Sequence, residues 1–411
     1  MSVKSVKLQS TLSGQEFPFD LIEEFTADGE SLEVVIPGIS AAKIRPGKFL
    51  WERFADFLPF SSVDSGVSLG EGNTPLLDAG KLLRSHTGIG NLLLKNETVN
   101  PTWSFKDRGS LCCVWMAKEM KEKVTATIST GNMGHSLSAY GARAGLNVLV
   151  FVPAFTPVEK ILAMNIHGAT VLKVDAPDYS LMKNSILGLA KEFSLRIVSG
   201  NGPIRVEGYK LTAFEMFEQL NRTVPDFIAV PTSACGHIRG IFKGYKELYE
   251  AGFIERLPKM IVVQAANNSP IVSAIKQGKN HIIPFTNFNT IAEAITSGNP
   301  AGGDEIVQKA HRYGWFAEDV TEDEIIESQR MFARAGFFVE PAAATSLWAV
   351  KKLRGQGKID SNQTVVLMLT GSGLKDMDVI RTQPQSVVEC SLKTIQTDLH
   401  RILNRLKGLI Y

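Results

Sequence analysis

The feature that most constrains the fold is an alternation of short apolar runs with helical stretches through the middle of the chain. After Gly145 the apolar runs are NVLVFVP, TVLKVDA and RIVSG, and the helical stretches between them are PVEKILAMNIHG and YSLMKNSILGLAKEF. Each apolar run is nearly continuous, which indicates strands buried on both faces of a sheet. Strands of this kind, separated by helices, are typical of parallel sheets, so the pattern predicts an α/β fold.

A later section repeats this rhythm. Its helical stretches are GYKLTAFEMFEQL and GIFKGYKELYEAG, and its strand-like runs are DFIAVP, KMIVVQA and TVVLMLTG. At 411 residues the chain exceeds the size at which a single hydrophobic core keeps growing. We therefore expect two core-bearing units, or one large α/β unit with an appendage.

Loops rich in glycine and hydroxyl residues follow three of the strand-like segments. They read STGNMGH from Ser129, TSACGH from Thr232 and TGSGLKD from Thr370. Because ligands bind beyond the carboxyl ends of parallel strands, we expect the three loops to converge on one site. TGSGLKD lacks the glycine and lysine spacing of a P-loop, which excludes a nucleotide site of that class.

Charge and cysteine usage exclude several classes of function. The 44 basic and 42 acidic side chains leave a net charge of +2, which gives no general attraction for nucleic acid or an anionic membrane. The first residues lack the apolar core of a signal peptide, and no apolar run reaches the roughly 20 residues that span a bilayer. Four cysteines without a CxxC motif and seven histidines without an HExxH motif indicate neither a disulfide framework nor a metal site. We expect a cytoplasmic protein with a small-molecule partner and no bound metal.

The segment NPTWSFKDRG places Lys106 between an aromatic residue and an Asp-Arg pair. A lysine in such a setting is, by itself, an ordinary surface residue. Beside loops suited to a phosphate, however, a lysine amine is what a pyridoxal phosphate enzyme needs. The lysine holds the aldehyde as a Schiff base, and helix N-termini hold the phosphate.

Seven segments occur in the order of the sequence blocks of threonine synthases. They are LGEGNTPLL, NPTWSFKDRG, STGNMGHSLSAYGARAG, RVEGYK, TIAEAITSGNP, FVEPAAATS and LTGSGLKD. Because the likeness extends over about residues 30 to 380, the chain resembles the threonine synthase family of fold type II pyridoxal phosphate enzymes. The resemblance implies pyridoxal 5'-phosphate as cofactor. It also implies a tryptophan synthase β-like fold of two α/β domains with parallel or mixed sheets and the cofactor in the cleft between them.

The domain organisation is predicted from the same likeness. A lead-in, residues 1–60, packs on a large cofactor-binding domain of residues 61–110 and 203–385, into which a smaller α/β domain, residues 111–202, is inserted. Independently of the likeness, residues 386–411 are predicted to form an amphipathic helix that packs on its own domain or on a twin subunit, because apolar residues recur at steps of three or four on one face: Leu392, Ile395, Leu399, Ile402, Leu406 and Ile410. The lead-in lacks the cysteines of the family, so any metal knuckle is lost. The family is commonly dimeric, which implies a homodimer.

The resemblance also implies roles for single residues. Lys106 forms the Schiff base and shuttles protons at Cα and Cβ of the substrate, whereas its neighbours Asp107 and Arg108 are assigned to the local turn and helix start. Asn132 faces the ring hydroxyl of the cofactor, and Thr370 is a neutral partner of the ring nitrogen. The substrate carboxylate is held by the hydroxyls and backbone N–H groups of Ser129, Thr130 and Gly131.

The segment VPTSACGHIRG stands where the family has its glycine-rich loop for the cofactor phosphate. Backbone N–H groups and a helix N-terminus can supply that cradle, with the hydroxyl of Ser233 as a further donor. Gly236 alone is retained among the family's glycines. The predicted phosphate-binding residues are Ser233, Ala234, Cys235, Gly236 and His237.

Four positions depart from the family pattern around the expected substrate anion. Met133 and Gly134 replace two hydroxyl residues that grip the phosphate of O-phosphohomoserine, and the polar residues ahead of the next block appear as Ser199 and Gly200. Arg205 is retained as the candidate arginine for the anion.

Other residues near these positions have two readings. His135, Ser136 and Lys210 either compensate for the lost hydroxyls or are ordinary helix-start and surface residues. Trp103, where the family has a glycine, either walls the pocket or packs outward.

Three functional hypotheses follow from the resemblance and the departures. The first is a threonine synthase, a pyridoxal phosphate lyase that converts O-phospho-L-homoserine and water to L-threonine and phosphate. The second is a related enzyme that catalyses β-elimination or β-replacement on phosphoserine, serine or threonine. The third is a protein that binds pyridoxal phosphate without catalysis.

Overall fold

The apolar runs form three sheets in a computed structural model of the chain, which describes residues 5–19, 24–176, 179–286, 289–382 and 387–407. The strands of this part of the chain are β1 (Lys7–Ser10), β2 (Glu16–Phe17), β3 (Leu32–Val35), β4 (Leu76–Asp78), β5 (Asn91–Asn96), β6 (Val124–Ile128), β7 (Asn147–Pro153), β8 (Thr170–Val174), β9 (Phe227–Pro231), β10 (Lys259–Ala265), β11 (Phe316–Val320) and β12 (Thr364–Leu369).

Helices separate most of these strands. They are α1 (Leu50–Arg53), α2 (Gly80–Thr87), α3 (Lys106–Glu119), α4 (Asn132–Ala144), α5 (Val158–Asn165), α6 (Tyr179–Glu192), α7 (Pro203–Gln219), α8 (Gly236–Glu250), α9 (Pro270–Lys276), α10 (Gly303–Tyr313), α11 (Glu322–Arg334), α12 (Pro341–Gly355), α13 (Asp378–Arg381) and α14 (Ile395–Lys407). Proline at the first position of α7, α9 and α12 favours those starts, because the missing N–H has no partner in a first turn.

The largest sheet has the strand order β11-β10-β9-β12-β5-β4 and is parallel except for β4, which pairs with β5 in antiparallel fashion. A second, fully parallel sheet has the order β6-β7-β8, and β1 to β3 form a small antiparallel sheet. Every residue of β9 is buried, as is every residue of β10 and β12 after the first. Burial on both faces is what near-continuous apolar strands require, and the predicted α/β fold is confirmed.

Two local predictions differ from the structure. RIVSG, predicted as a strand, makes only an isolated parallel bridge from Ile197 to Ala126, because the chain turns toward α7 immediately afterwards. Conversely, β11 was not predicted, since its sequence FAEDV carries two acids. Lys276 forms ion pairs with both of them, Glu318 and Asp319, which lets this edge strand join the sheet.

The described chain divides into two compact units, residues 1–376 and residues 377–411. The first contains all three sheets, and the second contains α13 and α14. Strands β6 to β8 fall inside the range predicted for an inserted domain, but the domain boundaries themselves stay predictions. No helix of the described residues is long and apolar enough to cross a membrane.

The C-terminal apolar face was predicted to pack on its own domain or a twin subunit. In α14, Ile395 and Leu399 are each about half exposed, at 45% and 49%. Ile410, another member of that face, lies outside the described residues. The partner of this face stays a prediction.

Three strand ends and one helix start meet within the first unit. β6 leads into α4 through residues 129–131, β9 leads into α8 through residues 232–235, and β12 ends at Leu369. The loop before α3 is bound to the loop after β12, because the N–H of Phe105 donates to the carbonyl of Thr370 at 3.1 Å and that of Ser372 to the carbonyl of Trp103 at 3.0 Å. This arrangement brings Lys106 next to the loop that follows β12.

Candidate active site

A cavity of about 1160 Å³ opens where these loops meet. Loops 129–131 and 232–235 both line it, as the sequence predicted. Most of the predicted site residues are on its wall, namely Lys106, Ser129, Thr130, Gly131, Asn132, Ser233, Ala234, Cys235, Gly236, His237 and Thr370.

Lys106 is the first residue of α3 and lies half-buried in this wall. Its Nζ is 4.1 Å from the ring centroid of Phe105 and 5.8 Å from that of Tyr209. Burial and the nearby guanidinium of Arg205 lower the pKa of Lys106 to about 7, although the carboxylate of Glu340 opposes the shift. A large fraction of this amine is therefore uncharged near neutral pH, which is the form that reacts with an aldehyde or accepts a proton.

Asp107 and Arg108 hold the base of α3, as predicted. The carboxylate of Asp107 accepts hydrogen bonds from the N–H of Thr102 at 2.7 Å and from the hydroxyl of Ser136 at 2.7 Å. Arg108 is buried, and its guanidinium forms ion pairs with Glu97 at 2.8 Å and Glu215 at 3.0 Å. Neither residue lines the cavity among the described residues.

Glu340 is a site residue that the sequence reasoning missed. Its carboxylate accepts hydrogen bonds from the amide of Asn132 at 2.9 Å and from the hydroxyl of Thr370 at 3.4 Å. Burial raises the pKa of Glu340. The one signal was an acid directly before Pro341, the residue that begins α12, within a block already quoted for the resemblance. The two residues predicted to face the cofactor ring are thus held by one carboxylate.

The loop after β6 is organised by its own serine. The hydroxyl oxygen of Ser129 accepts the N–H groups of Gly131 at 3.3 Å and Gly134 at 3.0 Å. A hydroxyl has one hydrogen to donate, and because no described residue accepts the hydrogen of Ser129, a ligand can accept it. The hydroxyls of Ser129 and Thr130 on the cavity wall together suit a small carboxylate ligand.

The loop after β9 combines a left-handed residue with a close backbone approach. Cys235 has φ 74°, and α8 begins immediately after it. A Cβ at Gly236 would lie 2.1 Å from the carbonyl oxygen of Gly200, so only glycine fits there. The N-terminal N–H groups of α8 are at the cavity, which suits an anion such as a phosphate.

His237 has no counterpart in the family's pattern, and its setting is unusual. The ring stacks on Phe105 with centroids 3.8 Å apart, and both ring nitrogens are buried without a hydrogen-bond partner among the described residues. Burial lowers the pKa of His237 to about 3, so the ring is neutral. A buried polar atom ordinarily has a partner, and here a ligand in the cavity can supply one.

Arg205, predicted to hold the substrate anion, is not among the described residues that line the cavity. It is the third residue of α7, it is fully buried, and its Nη1 donates to the hydroxyl of Ser110 at 3.2 Å. Its charge acts on Lys106 through the protein interior. Its direct role in substrate binding stays a prediction that this placement does not support.

Trp103 does wall the cavity, with 45% of its surface exposed and φ 65°. Met133, Ser199 and Gly200 also line it. The N–H of Ser199 donates to the carboxylate of Glu24 at 3.0 Å. Because Met133 and Gly200 replace polar residues of the family pattern, this part of the cavity wall is more apolar than that pattern would make it.

Lys375 and His135 add two polar groups to the wall. The Nζ of Lys375 donates to the carbonyl of Thr102 at 2.8 Å and to Nδ1 of His135 at 3.0 Å. Lys375 was quoted in the block LTGSGLKD, but no role was predicted for it. As a whole, the cavity suits a ligand with an aldehyde that reaches Lys106 and a phosphate that reaches the start of α8.

Comparison with known proteins agrees with this chemistry. A family described as "Pyridoxal-phosphate dependent enzyme" matches residues 67–371. The chain is 39% identical to a threonine synthase of Methanocaldococcus jannaschii over 372 residues, 90% of each chain. It is 35% identical to a threonine synthase of Methanosarcina acetivorans over 390 residues, 93% of this chain and 94% of the other.

Two solved structures share the fold at lower identity. Threonine deaminase isoform 2 of Solanum lycopersicum superposes with a TM-score of 0.64 at 19% identity, covering 83% of this chain and 94% of that one. Maize serine racemase superposes with a TM-score of 0.63 at 18% identity, covering 89% and 99%. At these identities the likeness establishes the fold alone.

Proposed function

Since the chain belongs to the pyridoxal-phosphate dependent enzymes, and among them to the threonine synthase family, we propose that it converts O-phospho-L-homoserine and water to L-threonine and phosphate. The chain is a fold type II lyase whose cofactor is pyridoxal 5'-phosphate. The observation that carries the proposal for the reaction is the placement of the Lys106 amine, which is partly uncharged near neutral pH, in the cavity where the strand-end loops meet.

The residues present fit the cofactor. Lys106 would hold it covalently, the start of α8 with Ser233 would hold its phosphate, and Asn132 and Thr370 would face its ring. The buried nitrogens of His237, which have no partner among the described residues, support a polar ligand at this position. When bound, pyridoxal phosphate supplies an electron sink that stabilises negative charge at Cα of an amino acid.

Lys106 moves the protons of the reaction. Its Nζ takes the α-proton of the substrate and then a β-proton, phosphate leaves from Cγ, a proton is delivered to Cγ, water adds at Cβ, and a proton returns to Cα. A pKa of about 7 suits an amine that both accepts and returns protons at neutral pH.

The substrate carboxylate is oriented by the loop after β6. Ser129, Thr130 and Gly131 line the cavity, and their hydroxyls and N–H groups are donors that match an anionic oxygen. Binding at this loop fixes the amino acid at one end, so that Cα faces the amine of Lys106.

A second candidate is favoured by the surroundings of the substrate anion. Met133 lines the cavity where a hydroxyl residue would grip phosphate, and Arg205 does not line it. Both observations fit a β-elimination or β-replacement on phosphoserine, serine or threonine by the same lysine and cofactor.

Product analysis with purified holoenzyme separates the two candidates. With O-phospho-L-homoserine as substrate, we expect phosphate and L-threonine in equal amounts, and neither product from Lys106→Ala. Oxo-acid formation from serine or threonine, with no phosphate released from O-phospho-L-homoserine, would support the second candidate. An unchanged cofactor spectrum with every one of these amino acids would contradict both and favour a non-catalytic role.

A further inference from the structure

We propose that Lys375 and His135 form a pair of donors that binds the distal phosphate of the substrate. The proposal rests on the proposed function, because it names the side chains that recognise the leaving group of that reaction. Nothing in the likeness to threonine synthases assigns a role to either residue, and the pair follows from contacts between segments 240 positions apart in sequence.

The first step is that a phosphate in the cavity needs hydrogen-bond donors other than the two hydroxyl residues of the family and Arg205. The two hydroxyl residues of the family are Met133 and Gly134 here, and Arg205 is buried behind the wall. A phosphate that is desolvated in a cavity needs charged or N–H donors, since an unpaired buried charge is strongly unfavourable.

The second step eliminates two of the three candidates for compensation. The hydroxyl of Ser136 is bound to Asp107 and Ser110, both at 2.7 Å. Lys210 is fully buried between Glu207 and Glu247, with which it forms ion pairs at 2.5 and 2.9 Å. Of the three candidates, only His135 lines the cavity.

The third step is the geometry of Lys375. An ammonium group has three N–H donors, and two of them are used by the carbonyl of Thr102 and by Nδ1 of His135. No other described residue accepts the third, which is left for a ligand in the cavity that Lys375 lines. No carboxylate of the described residues forms an ion pair with Lys375, whereas Lys160 on the same wall is paired with Glu293.

The contact with Lys375 also decides which nitrogen of His135 carries the proton. Because Nδ1 accepts the lysine hydrogen bond, the proton of the neutral ring is on Nε2, which is then a donor. The ring is held between Trp103, in an edge contact at 6.1 Å, and His167, stacked at 5.5 Å between centroids. These contacts hold Lys375 and His135 in place, and each of the two has one N–H group that can donate to a ligand.

The charge state of the pair suits an anion. Burial lowers the pKa of Lys375 to about 8, while Asp107 and Glu340 raise it and Lys160 lowers it further. The amine is therefore mostly an ammonium at pH 7. Burial and the charge of Lys375 lower the pKa of His135 to about 3, so His135 donates as a neutral ring.

Inorganic phosphate is the direct probe, measured by titration calorimetry with the pyridoxal phosphate-loaded enzyme. We expect Lys375→Met to weaken phosphate binding by about 10- to 100-fold, the usual range for a charge-assisted hydrogen bond. His135→Phe, which removes the Nε2 donor, should weaken it less. Lys160→Met is the matched control, because it removes a paired lysine from the same wall and should leave phosphate affinity almost unchanged.

Two results would overturn the pair. One is phosphate binding by Lys375→Met with wild-type affinity, and the other is no phosphate binding by the wild-type holoenzyme. Cofactor content, measured by absorbance, identifies a variant that has failed to fold. The conservative variant Lys375→Arg keeps the charge and should recover much of the affinity.

Substrate measurements separate failure of the pair from failure of the proposed function. If O-phospho-L-homoserine is turned over, Lys375→Met should raise KM with a smaller effect on kcat, and binding of L-homoserine, which lacks the phosphate, should not change. An unchanged KM in an active enzyme would contradict the pair alone. If no turnover occurs but phosphate binding depends on Lys375, the proposed reaction fails and the anion site stands.

Discussion

The lowered pKa of Lys106 comes from burial and from the charge of Arg205, not from the Asp-Arg pair that follows it in the sequence. Arg205 lowers the pKa of Lys106 although 98 residues separate the two along the chain, whereas Asp107 and Arg108 are engaged with the base of α3. A residue that first reads as an ordinary surface lysine therefore has, through its environment, the partly uncharged amine that the proposed nucleophile requires.

The pKa of Lys106 predicts the pH dependence of cofactor attachment. The uncharged amine attacks the aldehyde, so the attachment rate to the apo-protein should rise with pH through about 7 and then level off. An ordinary lysine would continue to gain reactivity toward about pH 10.4. Borohydride trapping followed by mass spectrometry measures the rate, and Lys106→Ala should trap no cofactor. A midpoint near 10 would contradict the assignment.

The buried ion cluster beneath α3 predicts a large stability loss on removal of one charge. The carboxylate of Glu215 forms ion pairs with Lys95 at 2.5 Å and with Arg108 at 3.0 Å, and all three side chains are almost fully buried. Glu215→Gln leaves both cations undercompensated, so the free energy of unfolding should fall by about 3–5 kcal/mol in urea denaturation. The exposed pair of Lys246 and Glu250 provides the control, because Glu250→Gln should cost less than about 1 kcal/mol. Equal effects of the two variants would contradict this view of the cluster.

At the scale of elements, α7 lies close to α3 because a glycine permits it. A Cβ at Gly208 would lie 2.1 Å from the carbonyl oxygen of Arg108, a backbone atom that cannot move aside cheaply. Since α3 begins with Lys106 and α7 carries Arg205, this contact brings the two cationic residues together.

Gly208→Ala should therefore destabilise the fold by about 1–3 kcal/mol through overpacking. It should also raise the pKa of Lys106, as α7 is displaced and Arg205 moves away. Gly355→Ala is the control, because no atom lies within 4 Å of that Cβ and alanine is the better helix former. Thermal unfolding and the pH profile of cofactor attachment measure the two effects. An unchanged stability of Gly208→Ala would contradict the close contact.

Most strands with a strong apolar pattern were predicted, although β5, with its run of three leucines, was not, and the elements governed by distant partners were missed or misassigned. β7, β9, β10 and β12 are buried apolar runs, which can be recognised locally. β11 depends on ion pairs with Lys276, which lies more than 40 residues away along the chain. RIVSG has the apolar composition of a strand, but among the described residues it forms only an isolated bridge to Ala126.

At the scale of the whole molecule, the cofactor is expected to stabilise the fold. A ligand that binds only the folded state raises stability by mass action, by about 4 kcal/mol when present at about 1,000 times its Kd. Removing pyridoxal phosphate should therefore lower Tm by at least about 5 °C. In Lys106→Ala the difference should shrink, because covalent attachment is lost. Differential scanning calorimetry of the apo and holo forms provides the test, and equal Tm values would contradict cofactor binding in the cavity.

The α/β class, the cofactor and the family were determined by the sequence, since apolar periodicity and ordered blocks are local properties that survive without knowledge of contacts. The meeting of the loops after β9 and β12 also followed from it, because these neighbouring parallel strands bring their carboxyl ends to one edge, whereas the loop after β6 comes from a separate sheet and joins them through tertiary packing. Only the tertiary structure decided that Arg205 lies behind the wall, that Glu340 holds Asn132 and Thr370, and that Lys375 meets His135. Burial and contacts between segments more than 200 residues apart depend on how all the elements pack, and no local pattern encodes that.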